Sequence, residues 1–163
     1  MPSRSTHRKL VENMVAYRIG DPKGAYPVYS AAGARLVQGR WHAAGQEVIY
    51  CSRSYSTALL ERLVNSSGRL PKRQCYLEIT IPRGTTYEVV TVHSLGGWDA
   101  RSGKASRAFG AKWIAQCRSA ILIVPSVVAR MEHNVLINPS HPDTARITVG
   151  LEMPVAWDAR LFS

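Results

Sequence analysis

The spacing of apolar residues changes several times along the chain, and each change marks an element. Val15-Ala16-Tyr17-Arg18-Ile19 is dense in strand-forming residues and runs into Gly20-Asp21-Pro22-Lys23-Gly24, which predicts a short strand closed by a turn. From there to Gly45, repeated glycines and Pro27 predict an irregular connection, and a long connection inside a compact domain is often functional. This loop carries Arg35 and Arg40. Glu47 to Cys51 reads as the next strand. Ser52 to Ser56 then offers hydroxyl caps to a helix from Thr57 to about Ser66, stopped by Gly68. On that helix Leu59, Leu60, Leu63 and Val64 form one apolar stripe with Glu61 at its edge. No basic residue lies three or four positions from Glu61, so its partner must come from another element.

Beyond the basic turn Arg69 to Arg73, Cys75 to Ile81 alternates as a half-buried strand until Pro82, and Tyr87 to Val92 predicts another. A glycine-rich loop leads to a helix from about Ser106 to Cys117, which aligns Phe109, Trp113 and Cys117 as a core-facing stripe. Ala120 to Val124 is apolar throughout, as a central strand is, and ends at Pro125-Ser126. Asn134 to Asp143 reads as a strand feeding a Pro-rich turn fixed by Asn138 and His141, and short strands at Arg146 to Val149 and Val155 to Trp157 close the chain. The irregular strand order excludes a doubly wound sheet. The expected class is α+β: a single domain with mixed, largely antiparallel sheets and a few helices.

Composition narrows this reading. At 163 residues the chain suits one domain, since a core of this size buries roughly 70% of the unfolded surface. Residues 1–13, with Arg4, His7, Arg8 and Lys9 among polar neighbours, are expected to form a loose basic arm on a domain spanning 14–163. No apolar run approaches the roughly 20 residues that cross a bilayer, and the first residues lack the apolar core of a secretory signal, so a cytoplasmic protein is expected. Cys51, Cys75 and Cys117 are an odd set without metal-ligand spacing, which points to packed, reduced thiols and to no metal. Twenty-one basic against eleven acidic side chains leave a net charge of +10, which favours polyanions, phosphorylated small molecules or an acidic protein.

The densest candidate chemistry lies between Gly39 and Glu61. Arg40 offers a planar fork of donors suited to phosphate, Tyr50 a ring and a hydroxyl, and Glu61 a carboxylate. Together they suit a phosphorylated, aromatic, partly cationic ligand; singly, each also fits an ordinary structural role. Arg18 suits either phosphate or a structural carboxylate such as Asp158. Ser126 suits either the same cleft or a turn bond to its own backbone. Cys51 reads as a packed thiol rather than a nucleophile.

From about Tyr17 to Leu161 the sequence resembles the RES-domain toxins of bacterial toxin–antitoxin pairs. The resemblance rests on Tyr17-Arg18, Gly39-Arg40-Trp41, the strand into Tyr50, Ala58 to Glu61, Gly110 with Trp113, and Val124-Pro125-Ser126. Further on it includes Asn134, Leu136-Ile137-Asn138-Pro139 with His141-Pro142, and Asp158-Ala159-Arg160-Leu161. The chain departs from the family pattern at Gln38, where a second glycine is usual, and at His42, where asparagine usually follows the tryptophan. The resemblance implies an ADP-ribosyltransferase-like fold that attacks NAD+ and arrests growth, with Arg40, Tyr50 and Glu61 as functional residues. Arg40 would hold the pyrophosphate, Tyr50 would pack on the nicotinamide ribose or ring, and Glu61 would stabilise the ribosyl cation; Trp41, Ser126 and Arg18 complete the expected NAD+-binding set. It also implies a helix-turn-helix (Xre-type) antitoxin that binds and blocks the toxin, with DNA reached only through that partner. Water, phosphate or a side chain of a target protein would each serve as acceptor. The rival readings are a basic nucleic-acid-binding protein, prompted by the charge, and a degenerate domain that only binds a partner.

Overall fold

In the computed structural model, residues 8–162 are described. One mixed sheet of nine strands organises them. In chain order these are β1 (Arg8–Lys9), β2 (Met14–Gly20), β3 (Ile49–Ser52), β4 (Cys75–Ile81), β5 (Thr86–Val89), β6 (Ile121–Pro125), β7 (His133–Ile137), β8 (Thr148–Val149) and β9 (Met153–Pro154). They lie in the order β1-β5-β6-β7-β3-β2-β4-β8, with β9 also on β4. Every pairing is antiparallel except β5 with β6. Two α-helices, α1 (Tyr55–Val64) and α2 (Lys104–Ala115), complete the α+β arrangement expected from the sequence.

Part of the segment expected as a loose arm is instead built into the sheet. Arg8 and Lys9 pair with Tyr87 and Thr86, Leu10 is buried, and its N–H donates to the Thr85 carbonyl at 2.9 Å. One apolar side chain and an unpaired edge of β5 are enough to hold it; Met1 to His7 lie outside the described residues.

Strand periodicity divides the core into two layers. On β3, β7 and β6 the residues Ile49, Cys51, Val135, Ile137 and Ile121 face one apolar cluster, together with Leu77, Ile79 and Ile81 of β4. The alternate positions Leu136, Leu122 and Val124 face a second cluster closed by Trp41, Trp98 and Trp113. These central strands are apolar on both faces, which is why β6 reads as an unbroken hydrophobic run. The stripe expected on α2 is rotated: Ser106, Gly110 and Trp113 form its buried face, while Phe109 and Cys117 are half-buried.

On α1 the expected apolar stripe is not the fully buried face: Leu59 and Leu63 are half-buried. Leu60 and Val64 are 42% and 62% exposed, whereas Thr57 and Ala58 are buried, which turns Glu61, three and four positions on, toward the sheet. Ser54 caps this helix by accepting from Thr57 N–H at 3.2 Å. Tyr55 then packs edge-on against Tyr17 of β2 and Tyr76 of β4.

Candidate active site

Register assembles the floor of a cleft. Tyr17 pairs with Ser52, Ser52 with Asn134, and Tyr50 with Leu136, so Tyr17, Ser52, Asn134 and Tyr50 share one face across β2, β3 and β7. Helix α1 stands on one side of this floor and the Gly39–Trp41 loop on the other. The space between them is about 650 Å³ and is lined by, among others, Arg18, Arg40, Trp41, Tyr50, Glu61 and Arg62. It therefore brings together the cation, ring and carboxylate singled out in the sequence.

On the α1 side, Glu61 is held entirely from other elements, as its lack of a helical partner required. Its Oε1 accepts from the Ser126 hydroxyl at 2.7 Å and from Asn134 Nδ2 at 2.7 Å. The Asn134 amide is itself fixed, because its Oδ1 accepts from Ser52 Oγ at 2.8 Å, and Ser126 Oγ accepts from Ala129 N–H at 3.1 Å. All four dipoles point the same way, ending on the carboxylate. Ser126 is fully buried and does not line the cleft; its hydroxyl reaches Glu61 rather than open space.

On the other side the fixed points are backbone carbonyls. Arg40 Nη1 donates to the carbonyls of Trp98 at 3.1 Å and Ala100 at 2.9 Å. Arg107 of α2 ties the loop down through Nε to the Gly39 carbonyl at 3.1 Å. Gly110 allows the contact: a Cβ there would fall 1.8 Å from the Trp41 carbonyl oxygen, so only glycine lets α2 lie against this stretch of backbone. The Trp41 ring is 3% exposed and belongs to the second core cluster, and the backbone N–H of Trp41 donates to the Tyr50 hydroxyl at 3.2 Å. His42, also buried, places Nδ1 2.6 Å from that hydroxyl. Burial pushes the Tyr50 phenol up to about 12, against the pull of the Trp41 N–H, Arg107 and Arg40.

Arg18 is anchored to backbone and has no contact with Asp158, which pairs with Arg160 at 2.7 Å. Strands β2 and β3 share one register pair, and beside it Arg18 Nη1 donates to the Tyr50 carbonyl at 2.7 Å while Nε donates to that of Val28. Desolvation lowers the Arg18 pKa from its ordinary value. Cys51 beside it is buried in the apolar layer, and burial raises its thiol to about 12 in spite of Arg18, so no thiolate is on hand at neutral pH. Asn138 and His141 hold the Pro-rich turn, accepting from Ser140 N–H and Asp143 N–H at 3.1 Å each.

Sequence reasoning gave no role at the site to Asn134, Ser52, Gly110 or His42; Ser52, offered there as a helix cap, instead donates to Asn134. The first two were legible in part: Asn134 opens an apolar strand run, in phase with Leu136, and a lone amide there calls for a partner. The others depend on which backbones meet.

The profile of the RES domain family matches residues 15–158. The chain is 39% identical over 137 residues to the "Prs ADP-ribosylating toxin" of Sphingobium sp. strain YBL2, covering 81% of this chain and 85% of that one. It is 32% identical over 152 residues to "Toxin Res" of Pseudomonas putida strain KT2440, covering 91% of this chain and all of the relative. Its fold is shared with a chain of the M. tuberculosis MbcT–MbcA toxin–antitoxin complex, at a TM-score of 0.71 with 13% identity, over 90% of this chain and 87% of that one. By the reach of the family profile and the near full-length similarity to these relatives, the chain belongs to the RES domain family.

Proposed function

We propose that the protein is the toxin of a toxin–antitoxin pair and consumes NAD+ by breaking the bond between nicotinamide and ribose. The observation that carries this reading is a carboxylate with one oxygen fully engaged, set in a cleft whose other charged lining residues are Arg18, Arg40 and Arg62. Glu61 Oε1 takes both protein donors, and among the described residues Oε2 has no hydrogen-bond partner. When nicotinamide leaves with the bonding pair, it departs neutral and the ribose carries oxocarbenium character. Glu61, held rigid beside it, stabilises that charge with little reorganisation. The acceptor, whether water, inorganic phosphate or a side chain of a target protein, then adds to the same carbon.

The arginines serve the other end of the substrate. Arg40 spends Nη1 on two carbonyls and keeps Nε and Nη2 for the pyrophosphate, a use of the planar fork that a lysine does not have. Arg18 lines the same cleft and orients the strand that carries Tyr50. Trp41 acts from the loop wall, its ring buried in the second core cluster behind the cleft. A helix-turn-helix (Xre-type) antitoxin covers this cleft in the bacterial cytoplasm and supplies any contact with DNA; an electropositive cleft favours an acidic segment of such a partner. The unit responsible is one RES-like domain spanning residues 14–163.

The test is incubation of the purified, folded protein with NAD+, with and without inorganic phosphate, with products identified by mass. Release of nicotinamide is expected, and the mass of the ribosyl product names the acceptor. No nicotinamide under any acceptor condition would sink the reading.

A further inference from the structure

The hydroxyl of Tyr50 has its orientation dictated by its neighbours. The carbonyl oxygens of Ala34 and Val37 lie 2.7 and 3.0 Å from His42 Nε2. Carbonyls only accept, so Nε2 carries the proton, and a neutral imidazole then presents a lone pair at Nδ1. That lone pair faces the Tyr50 hydroxyl at 2.6 Å, so the phenol O–H donates to it. The same oxygen accepts the Trp41 N–H. The donor of Tyr50 is therefore spent, one of its two lone pairs is spent, and one lone pair is left. The arrangement is tightly enclosed: a Cβ on Gly39 would fall 2.7 Å from both the His42 ring and the phenol oxygen.

We propose that His42 is a positioning residue that locks the Tyr50 hydroxyl so that it meets the ligand as a hydrogen-bond acceptor. The group it receives is a donor, such as a ribose hydroxyl or the carboxamide N–H of nicotinamide. A phosphate oxygen, which only accepts, is rejected there and left to the arginines. The proposal deepens the NAD+ reading and rests on Tyr50 lying in that site.

Three measurements on the full chain decide this. In protein labelled with ¹⁵N-histidine, His42 at pH 8 should show a protonated Nε2 and an unprotonated, hydrogen-bonded Nδ1; the opposite tautomer overturns the proposal. His42→Ala should lower the rate of nicotinamide release by about 10–100-fold, the scale of a misplaced site group. In a Tyr50→Phe background the same change should cost almost nothing further, because the residue it positions is gone. Losses that multiply in the double variant overturn the proposal. His42→Asn supplies an amide oxygen where Nδ1 accepted, so it should recover most of the rate lost in His42→Ala. No recovery in a folded His42→Asn overturns the proposal, and thermal unfolding of each variant separates a lost fold from a lost hydroxyl orientation. If the parent releases no nicotinamide, the NAD+ reading fails, while the nitrogen shifts still decide how Tyr50 is held.

Discussion

The two walls of the cleft are fixed by different means. On the α1 wall, Glu61 is held by the side chains of Ser126 and Asn134, and behind them by Ser52, all standing on or beside sheet strands. On the loop wall, Arg40, Arg107 and His42 bind main-chain carbonyls of Trp98, Ala100, Gly39, Ala34 and Val37. A carboxylate needs donors aimed at it, and side-chain amides and hydroxyls supply them. A guanidinium needs acceptors, and loop carbonyls supply those without any particular sequence. The first wall is therefore chemically specified and the second is specified by shape.

The contrast is broken most severely at Glu61. Glu61→Gln keeps a carbonyl oxygen where Ser126 and Asn134 donate, so the fold and the NAD+ affinity should persist while the anion is lost. Turnover should fall by about 10²–10³, or roughly 2.7–4 kcal/mol, as for other preorganised electrostatic groups. Single-turnover rates beside calorimetric binding check this. Loss of binding with an unchanged rate constant would move Glu61 from stabilising the transition state to holding the substrate.

The shape-specified wall should break at Gly110. In an ordinary helix interior, alanine is favoured over glycine by about 1 kcal/mol. Here its Cβ would meet the Trp41 carbonyl oxygen at 1.8 Å, and neither backbone can yield without moving α2. The sign should reverse: Gly110→Ala should destabilise by about 1–3 kcal/mol in denaturant unfolding, and displace Arg40 enough to weaken NAD+ consumption. A variant more stable than the parent would show that the loop wall tolerates repositioning.

Much of this was legible before the fold was known, for definite reasons. Strand β4 announces itself because one face is buried and the other is not, so its sequence alternates. Arg40 in the loop, Tyr50 within β3 and Glu61 within α1 stood out by side-chain chemistry, a cation, a ring and an unpaired carboxylate along one short stretch. The face of α1 was misread because hydrophobicity alone chose Leu60 and Val64, while the side that meets the sheet is built from Thr57, Ala58 and Glu61. Small residues permit close approach and leave no hydrophobic signal. The role of His42 was illegible for another reason: its partners Ala34 and Val37 are recognised by their carbonyls, which every residue has.

Arg40 sharpens the comparison by separating shape from charge. Arg40→Lys keeps the cation, and its ammonium can still reach the Trp98 and Ala100 carbonyls, which hold the loop as before. What remains for the pyrophosphate is no longer a fork. Because the pyrophosphate is equally charged before and after the glycosidic bond breaks, the loss is of uniform binding, and KM should rise about tenfold, or roughly 1.4 kcal/mol, with kcat nearly kept. Steady-state kinetics at saturating NAD+ decide it; a fall in kcat alone would place Arg40 in the bond-breaking step.

The smallest effect concerns the outward side of α1, and it tests which face of that helix the α1 wall depends on. If the apolar stripe of Leu60 and Val64 anchored the helix, a polar residue there would release Glu61 along with it. At 42% and 62% exposure these side chains leave much of their surface in water, and the helix is instead held by the Ser54 cap, by Tyr55 against Tyr17 and Tyr76, and by the bonds to Glu61 itself. Leu60→Gln, a substitution at an exposed helical position, should therefore change unfolding free energy by no more than about 0.5 kcal/mol and leave nicotinamide release at the parent rate. A loss several times larger, with Glu61 intact, would mean that the exposed leucine orients the helix, and the α1 wall would then owe its geometry to packing as much as to hydrogen bonds.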